Sequence, residues 1–447
     1  MSVSLVWLRD DLRIADNPAL TAALASADSV AVVYVLDEVS SEARPLGRAS
    51  KWWLHQSLTS LAADISKLGG HLILRSGSAR DVIPSLVSEL GATSVHWAKR
   101  FGATRNIDAD LKSSLPSAQS HHGSLLHEPW SLVSGAGTPF KVFTPFWKTY
   151  LANNVPRSPF PAPKSIPGVA AASESLESWN LEPEIPWDAG LSESWTPGET
   201  GAHARLNDFL KRGLALYHRR DEPAVPATSR LSPHLRFGEI SPYQIWHAVE
   251  AVTDAAARKN AAKFLSEVGW REFSFHQLFH NPDISTRNLR SDFDSFPWQA
   301  PDPALLRAWR RGETGVSLVD AGMRELWATG TMHNRVRMVT ASFLIKNLGI
   351  DWRIGEQWFW DTLVDADEAS NPASWQWVAG SGYDAAPYFR VFNPELQAAK
   401  FDTDAEYRLE WVPEFGTPDY PDPIVDLAES RNRALAAYSA MKDELQP

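Results

Sequence analysis

The sequence predicts an α/β domain with a doubly wound parallel sheet, followed by an all-α domain. Three observations carry this prediction. Residues 1–130 alternate short β-branched runs with helical periodicities. Residues 131–202 hold a long stretch rich in proline, serine and glycine. From residue 203 the strand signal stops, and apolar residues recur at helical spacing to residue 447.

VSLVWL (3–8), SVAVVYVL (29–36), HLILR (71–75) and TSVHWA (93–98) read as strands. Asn17-Pro18 opens the first helix, with Asp16 or Asn17 as the cap and proline in the first turn. Leu54, Leu58, Leu61, Ile65 and Leu68 form one apolar stripe and predict a helix over 47–68. Strands alternating with helices pair in parallel, and such sheets bind ligands at the carboxyl ends of their strands. No GxGxxG opens the first helix, so the dinucleotide fingerprint is missing. NNVPRSPFPAPKSIPGVAAASES and WTPGETG, within 151–202, read as a long surface linker. Helices are predicted over 203–213, 242–252, 258–279, 303–311, 317–329, 335–348 and 355–363.

Composition narrows the function. The chain has 447 residues and no cysteine. Disulfides, thiolate metal sites and cysteine nucleophiles are therefore excluded. The start, MSVSLVWLRDDLR, carries charge too early for a secretory signal, and no apolar run reaches membrane-span length. A cytoplasmic protein without membrane contact is expected. The net charge of −11 on its own argues against a nucleic-acid partner. Local distribution overrides a total, however, and arginines concentrate at Arg219–Arg220, Arg230–Arg236, Arg335–Arg337 and Arg390. Twenty tryptophans are many for this length. A large aromatic core accounts for any one of them better than for the whole set.

Several constellations could carry chemistry. Glu267, Trp270 and Arg271 share one helix face, which also suits a surface ion pair beside a half-buried indole. Asn334, Arg337 and Met338 share another face, as an amphipathic core helix would also arrange them. Thr228 to Ser232 (TSRLS) supplies hydroxyls, backbone N–H groups and a guanidinium. That set suits a phosphate or a helix cap. In DADEASNPASWQW (365–377), Asp365 and Asp367 point the same way if the segment is extended. Asn371 and Trp375 share a helix face, and Trp377 is turned about 200° from Trp375. The two indoles therefore meet different neighbours. Nearby histidines and a P-loop are missing, so no metal site is expected.

Together VWLRDDLRIADNPAL (6–20), RPLGRASKWWLHQSL, TSRLSPHLRFGEIS, FLSEVGWREF, TGTMHNRVRM and DWRIGEQWFWDTLVDADEASN resemble the DNA photolyase/cryptochrome family, in order and over nearly the whole chain. The likeness is to cyclobutane pyrimidine dimer photolyases of the branch near plant cryptochromes. It implies an antenna-binding α/β domain (1–130), a linker (131–202) and a helical FAD- and DNA-binding domain (203–447). It implies light-driven repair of pyrimidine dimers, with a photoreceptor lacking repair as the alternative.

Carried over by residue, Tyr217 and Thr228, Ser229, Arg230, Leu231 and Ser232 hold the flavin phosphates and ribityl chain. Phe264 lies against the adenine, and Arg271 joins the cofactor set. Asp365 and Asp367 lie near the ribose and isoalloxazine, and Arg337 pairs with Asp365. Asn371 faces flavin N5, where an amide offers oxygen or nitrogen without titrating. Glu267, Trp270, Asn334, Met338 and Trp377 match the dimer pocket. There indoles wall a flipped-out lesion, and Glu267 reaches a base carbonyl. Trp375, Trp352 and Trp298 match the electron relay. Arg335, Arg390 and Gln397 are expected to contact UV-damaged DNA. The expected antenna is methenyltetrahydrofolate, with 8-hydroxy-deazaflavin second. A monomer is expected.

Overall fold

The computed structural model describes residues 2–115, 117–183, 187–385 and 389–444. Its N-terminal part follows the predicted alternation: β1 (Val3–Leu8), α1 (Pro18–Ser26), β2 (Ser29–Leu36), α2 (Arg48–Lys67), β3 (Leu72–Ser76), α3 (Ala79–Leu90), β4 (Ser94–Ala98), α4 (Arg105–Ser114) and β5 (Ala118–His121). The strands form one parallel sheet in the order β3-β2-β1-β4-β5. Side chains alternate across it. Val6, Leu8, Val30 and Val32 pack on Leu54, Leu58, Leu61 and Ile65 of α2. Leu5, Trp7, Ala31 and Val33 pack on Ile83 and Leu86 of α3 and Ile107 and Leu111 of α4. Helices thus cover both faces. Asn17 caps α1 by accepting from Leu20 N at 3.0 Å. The fifth strand was not expected: AQSH has no branched apolar residue, and an edge strand needs none.

The remaining helices are α5 (Phe143–Asn153), α6 (Ala189–Ser194), α7 (Glu199–Asp208), α8 (Ser232–Arg236), α9 (Pro242–Glu250), α10 (Ala255–His280), α11 (Pro303–Arg311), α12 (Ser317–Thr329), α13 (Asn334–Ser342), α14 (Trp352–Thr362), α15 (Ser370–Ala379), α16 (Pro394–Phe401), α17 (Glu406–Trp411) and α18 (Leu427–Glu444). The stretch expected to be a surface linker is only partly one. α5, α6 and the start of α7 lie in it, and Ile166, Leu191 and Trp195 are buried. Apolar side chains scattered at wide spacing anchor it, and Gly168 bridges to Val30 of β2. The periodicity over 335–348 is α-helical to Ser342. It then widens into a π turn, Phe343–Asn347.

Buried polar contacts join the two halves. Arg13 donates to Gly238 O at 2.8 Å, and Trp53 Nε1 donates to Glu239 at 2.9 Å. Arg236 bridges Asp10, at the end of β1, and the carbonyl of Ala366, at 2.8 and 2.9 Å. Gly47 sits so close to α14 that a Cβ there would lie 2.0 Å from Trp360 O.

Candidate flavin and lesion site

The loop between α14 and α15 carries both aspartates, and they contact different partners. Asp365 accepts from Arg337 Nη1 and Nη2 at 3.0 and 2.9 Å, and from Ser232 Oγ at 2.6 Å. Asp367 caps α15, taking Ala369 N at 2.7 Å and Ser370 N at 2.5 Å. It also lines a pocket between the halves with Arg236 and Arg271. The segment turns at Asp365 and is not an extended strand, and the two carboxylates share no hydrogen-bond partner. The helix start claims the second carboxylate.

Ser232, held to Asp365, places Thr228–Ser232 beside the Asp365 loop. Thr228 and Ser229 are half-buried, Ser232 is exposed, and Leu231 is buried in the core with Tyr217 and Phe264. Arg230 adopts φ +52°, a left-handed conformation rare outside glycine, and lies over the Trp195 ring at 4.5 Å. Tyr217 meets Phe264 edge-on at 5.4 Å, and burial pushes its phenol well up. Asn371 is buried. Its Nδ2 donates to Glu356 Oε1 at 2.8 Å and to Glu356 O at 3.1 Å. Its Oδ1 takes no hydrogen bond from the described residues. A hydroxyl-rich rim, an aromatic wall and an amide oxygen left open fit a flavin dinucleotide in donor and acceptor type.

Two further groups stand apart in the core. On α10, Glu267 is bound by Lys263 at 2.6 Å and Arg220 at 3.8 Å, and its side chain is 36% exposed. Trp270 stacks on Phe143 with ring centroids 3.9 Å apart. On α15, Trp377 is half-buried between Arg390, 4.9 Å over its ring, and Phe392 at 6.3 Å. Trp270 belongs to the core around α5, α9 and α10, and Trp377 to the one around α12–α15. On α13, Asn334 is exposed and Met338 half-buried.

Trp375 is deeply buried, with Phe359 at 4.9 Å and Trp309 at 6.4 Å, both edge-on. It lies against Gly355, one turn along α14 from the fully buried Trp352. Trp352 Nε1 donates to Asn288 at 3.0 Å. Trp298 is half-buried beside Phe296 at 4.4 Å, so two of the three indoles are enclosed and the third reaches solvent. Helical phase separates Trp375 from Trp377 as expected.

The residues expected at DNA are more restrained than expected. Arg335 is bound to Asp221 at 2.9 Å and lies over Phe401 at 4.5 Å. Arg390 is exposed, whereas Gln397 is half-buried with its Oε1 enclosed. Arg271, placed in the cofactor set by sequence, donates to Ser124 O at 2.8 Å on the wall of the pocket between the halves.

That pocket opens at the carboxyl ends of β1, β2 and β4, where a sheet of this kind places ligands. It holds about 1100 Å³ including its open mouth. Phe101, Tyr34 and Trp360 line it with a mixed set of charges. Burial works to raise Asp10 there, but Arg100 and Arg236 outweigh it and hold the carboxyl at about 2. Burial raises Glu368.

Sequence reading missed Glu356 and Arg44. Glu356 is 3% exposed, and Arg44 of the β2–α2 loop grips it through two nitrogens at 2.7 and 2.9 Å. No local signal joins residues so far apart in sequence.

Residues 4–164 match the family model described as DNA photolyase, and residues 264–418 match the FAD binding domain of DNA photolyase. The chain is 47% identical to a deoxyribodipyrimidine photo-lyase from Agrobacterium fabrum, covering 98% of both chains. It is 38% identical to cryptochrome-2 from Arabidopsis thaliana, covering 92% of this chain and 70% of that one. The crystal structure of a bacterial class III photolyase from Agrobacterium tumefaciens superposes with TM-score 0.95 at 46% identity, covering 99% of this chain and 98% of the other. Models matched at both ends, an identity sustained over full length and a shared fold leave one conclusion: the chain belongs to the DNA photolyase/cryptochrome family.

Proposed function

We infer that the protein is a deoxyribodipyrimidine photo-lyase, which uses light to split cyclobutane pyrimidine dimers in UV-damaged DNA. The observation that carries this reading is the 47% identity, over 98% of both chains, to a relative of that name. Reduced FAD, when bound, would supply the light-driven electron chemistry, a redox-neutral loan of one electron to the dimer. The residues supply the rest. Thr228 to Ser232 receive phosphate and ribityl oxygens, Tyr217 and Phe264 wall the adenine side, and Asp365, fixed by Arg337, takes polar hydrogens of the cofactor.

Trp270 and Trp377 offer flat apolar surfaces to a flipped-out dimer, with Asn334 and Met338 at the pocket edge. Glu267 accepts or shares a hydrogen at a base carbonyl, where negative charge develops. Trp375, Trp352 and Trp298 carry electrons inward from the surface. Arg390, Arg335 and Gln397 surround the mouth and meet the DNA backbone. The exposed Arg390 is the freest of the three, so binding weakens with salt and is confined to that face.

The pocket at the strand ends is the antenna site in this reading. Its aromatic walls and cationic side chains suit methenyltetrahydrofolate with its anionic tail, and 8-hydroxy-deazaflavin is the second choice. No described helix is long and apolar enough to cross a membrane.

The direct test is blue-light reversal of dimers in irradiated oligothymidylate by the FAD-loaded, fully reduced protein. Dimer loss under light and none in darkness is expected. Flavin photoreduction without dimer loss would establish the photoreceptor instead.

A further inference from the structure

We propose that Arg44 and Glu356 form a positioning pair that decides which atom of the Asn371 amide faces the flavin, and thereby sets the redox potential of bound FAD. The proposal rests on the reading that Asn371 faces N5.

An asparagine amide alone is ambivalent, because its oxygen accepts and its nitrogen donates. Here it is not free to choose. Glu356 offers Asn371 two acceptors, the carboxylate Oε1 at 2.8 Å and its own backbone carbonyl at 3.1 Å. A reversed amide would press Oδ1 against both oxygens. The preference requires the carboxylate to stay an acceptor, and Arg44 ensures this by donating to both of its oxygens, at 2.7 and 2.9 Å. Arg44 is itself fixed. It donates to Gln357 Oε1 at 2.9 Å, and its guanidinium lies 4.0 Å over the Trp360 ring. The result is a chain from the β2–α2 loop through α14 to α15. Both amide protons are committed to Glu356, and Oδ1 is left facing away from it.

An oxygen presented to N5 accepts a hydrogen bond from N5–H, which the neutral semiquinone and the fully reduced flavin carry and the oxidised flavin lacks. It offers nothing to the bare N5 of oxidised flavin. The fixed amide therefore favours the reduced cofactor and raises its midpoint potential. An amide free to turn would favour neither form. Neither Arg44 nor Glu356 need touch the cofactor, so both are positioning residues.

The test is a reductive titration of the FAD-loaded protein with a reference dye. Wild type is compared with E356Q, R44M, R44K and N371L, with flavin content and circular dichroism recorded for each. E356Q keeps the shape of Glu356 but can turn its own amide, which releases Asn371. The expected result is a more negative midpoint potential in E356Q and R44M, partial recovery in R44K, and reoxidation in air several-fold faster. If R44M loses its flavin, E356Q decides. A shift in N371L with none in E356Q would overturn the pair's role and leave the reading of Asn371 intact. No shift in N371L would overturn that reading, and the proposal with it.

Discussion

Arg337 holds Asp365 through two nitrogens, and Ser232 from α8 adds a hydroxyl to the same carboxylate. Three separate chain segments thus converge on one buried acid. Replacing Arg337 by Met leaves Asp365 with only Ser232. Breaking such a pair costs about 3 kcal/mol. On the proposal that FAD binds against this loop, R337M should lower FAD affinity by roughly 100-fold. Flavin absorbance after dialysis, followed by titration with FAD, checks it. Full retention of flavin would show that Asp365 lies off the cofactor.

Trp375, the innermost indole of the proposed relay, meets Phe359 at 4.9 Å and Trp309 at 6.4 Å, both edge-on. W375F should slow light-driven reduction of oxidised FAD at least roughly tenfold, with flavin content unchanged. Repair by chemically reduced enzyme should survive. W309F is the useful partner, because Trp309 lies 6.4 Å from Trp375 but off the expected route. Unchanged photoreduction in W375F, or an equal loss in W309F, would move the route.

Glu267 sits at the surface end of its helix face, held by Lys263 and Arg220. E267A should reduce dimer repair per absorbed photon by about three- to tenfold, the value of one ordinary hydrogen bond of about 1 kcal/mol. FAD binding should not change. Repair at the wild-type yield would remove Glu267 from the lesion pocket.

His276 gives a pH prediction. It is fully buried, its Nδ1–H donates to Pro129 O at 3.0 Å, and its Nε2 accepts from Phe140 N at 3.1 Å. Burial, aided by nearby His280, lowers it from 6.5 to about 4. Between those values the unfolded chain binds a proton that the folded one refuses. Stability is therefore full above pH 6.5 and falls as pH drops toward 4, at about 1.4 kcal/mol per unit from this residue. Urea unfolding at pH 7 and pH 5 measures it. H276Q should flatten the difference, and an equal slope in the variant would assign it elsewhere.

Much of the fold was legible because it is local. Asn17 caps its helix within four residues, the 54–68 stripe follows one helix, and phase alone separates Trp375 from Trp377. The misses have physical causes. β5 is a polar edge strand whose pairing comes from β4 and not from its own composition. The linker is pinned by widely spaced apolar anchors such as Trp195, whose Nε1 reaches Thr329 O across 134 residues. Asp367 shares no partner with Asp365 because a helix needed capping. Arg44 meets Glu356 over 312 residues, a distance at which only a folded structure can speak. The resemblance named tasks that spacing left open, but it offered no sign of what holds the amide of Asn371.

The pocket at the carboxyl ends of the strands has walls from both halves. Trp7, Tyr34 and Arg100 come from the N-terminal half, and Arg271, Trp360, Asp367 and Glu368 from the helical half. Two of these sit within three residues of Asp365, which is tied to Arg337 and Ser232. The halves are therefore not interchangeable modules. Grafting a foreign N-terminal half onto this helical half would bring only part of a binding site. Tailoring the remainder would mean editing the same short loop that carries Asp365. If the pocket is the antenna site as proposed, chimeras built at the junction should fold and lose pigment, and swaps that carry residues 360–368 along with the sheet should keep it.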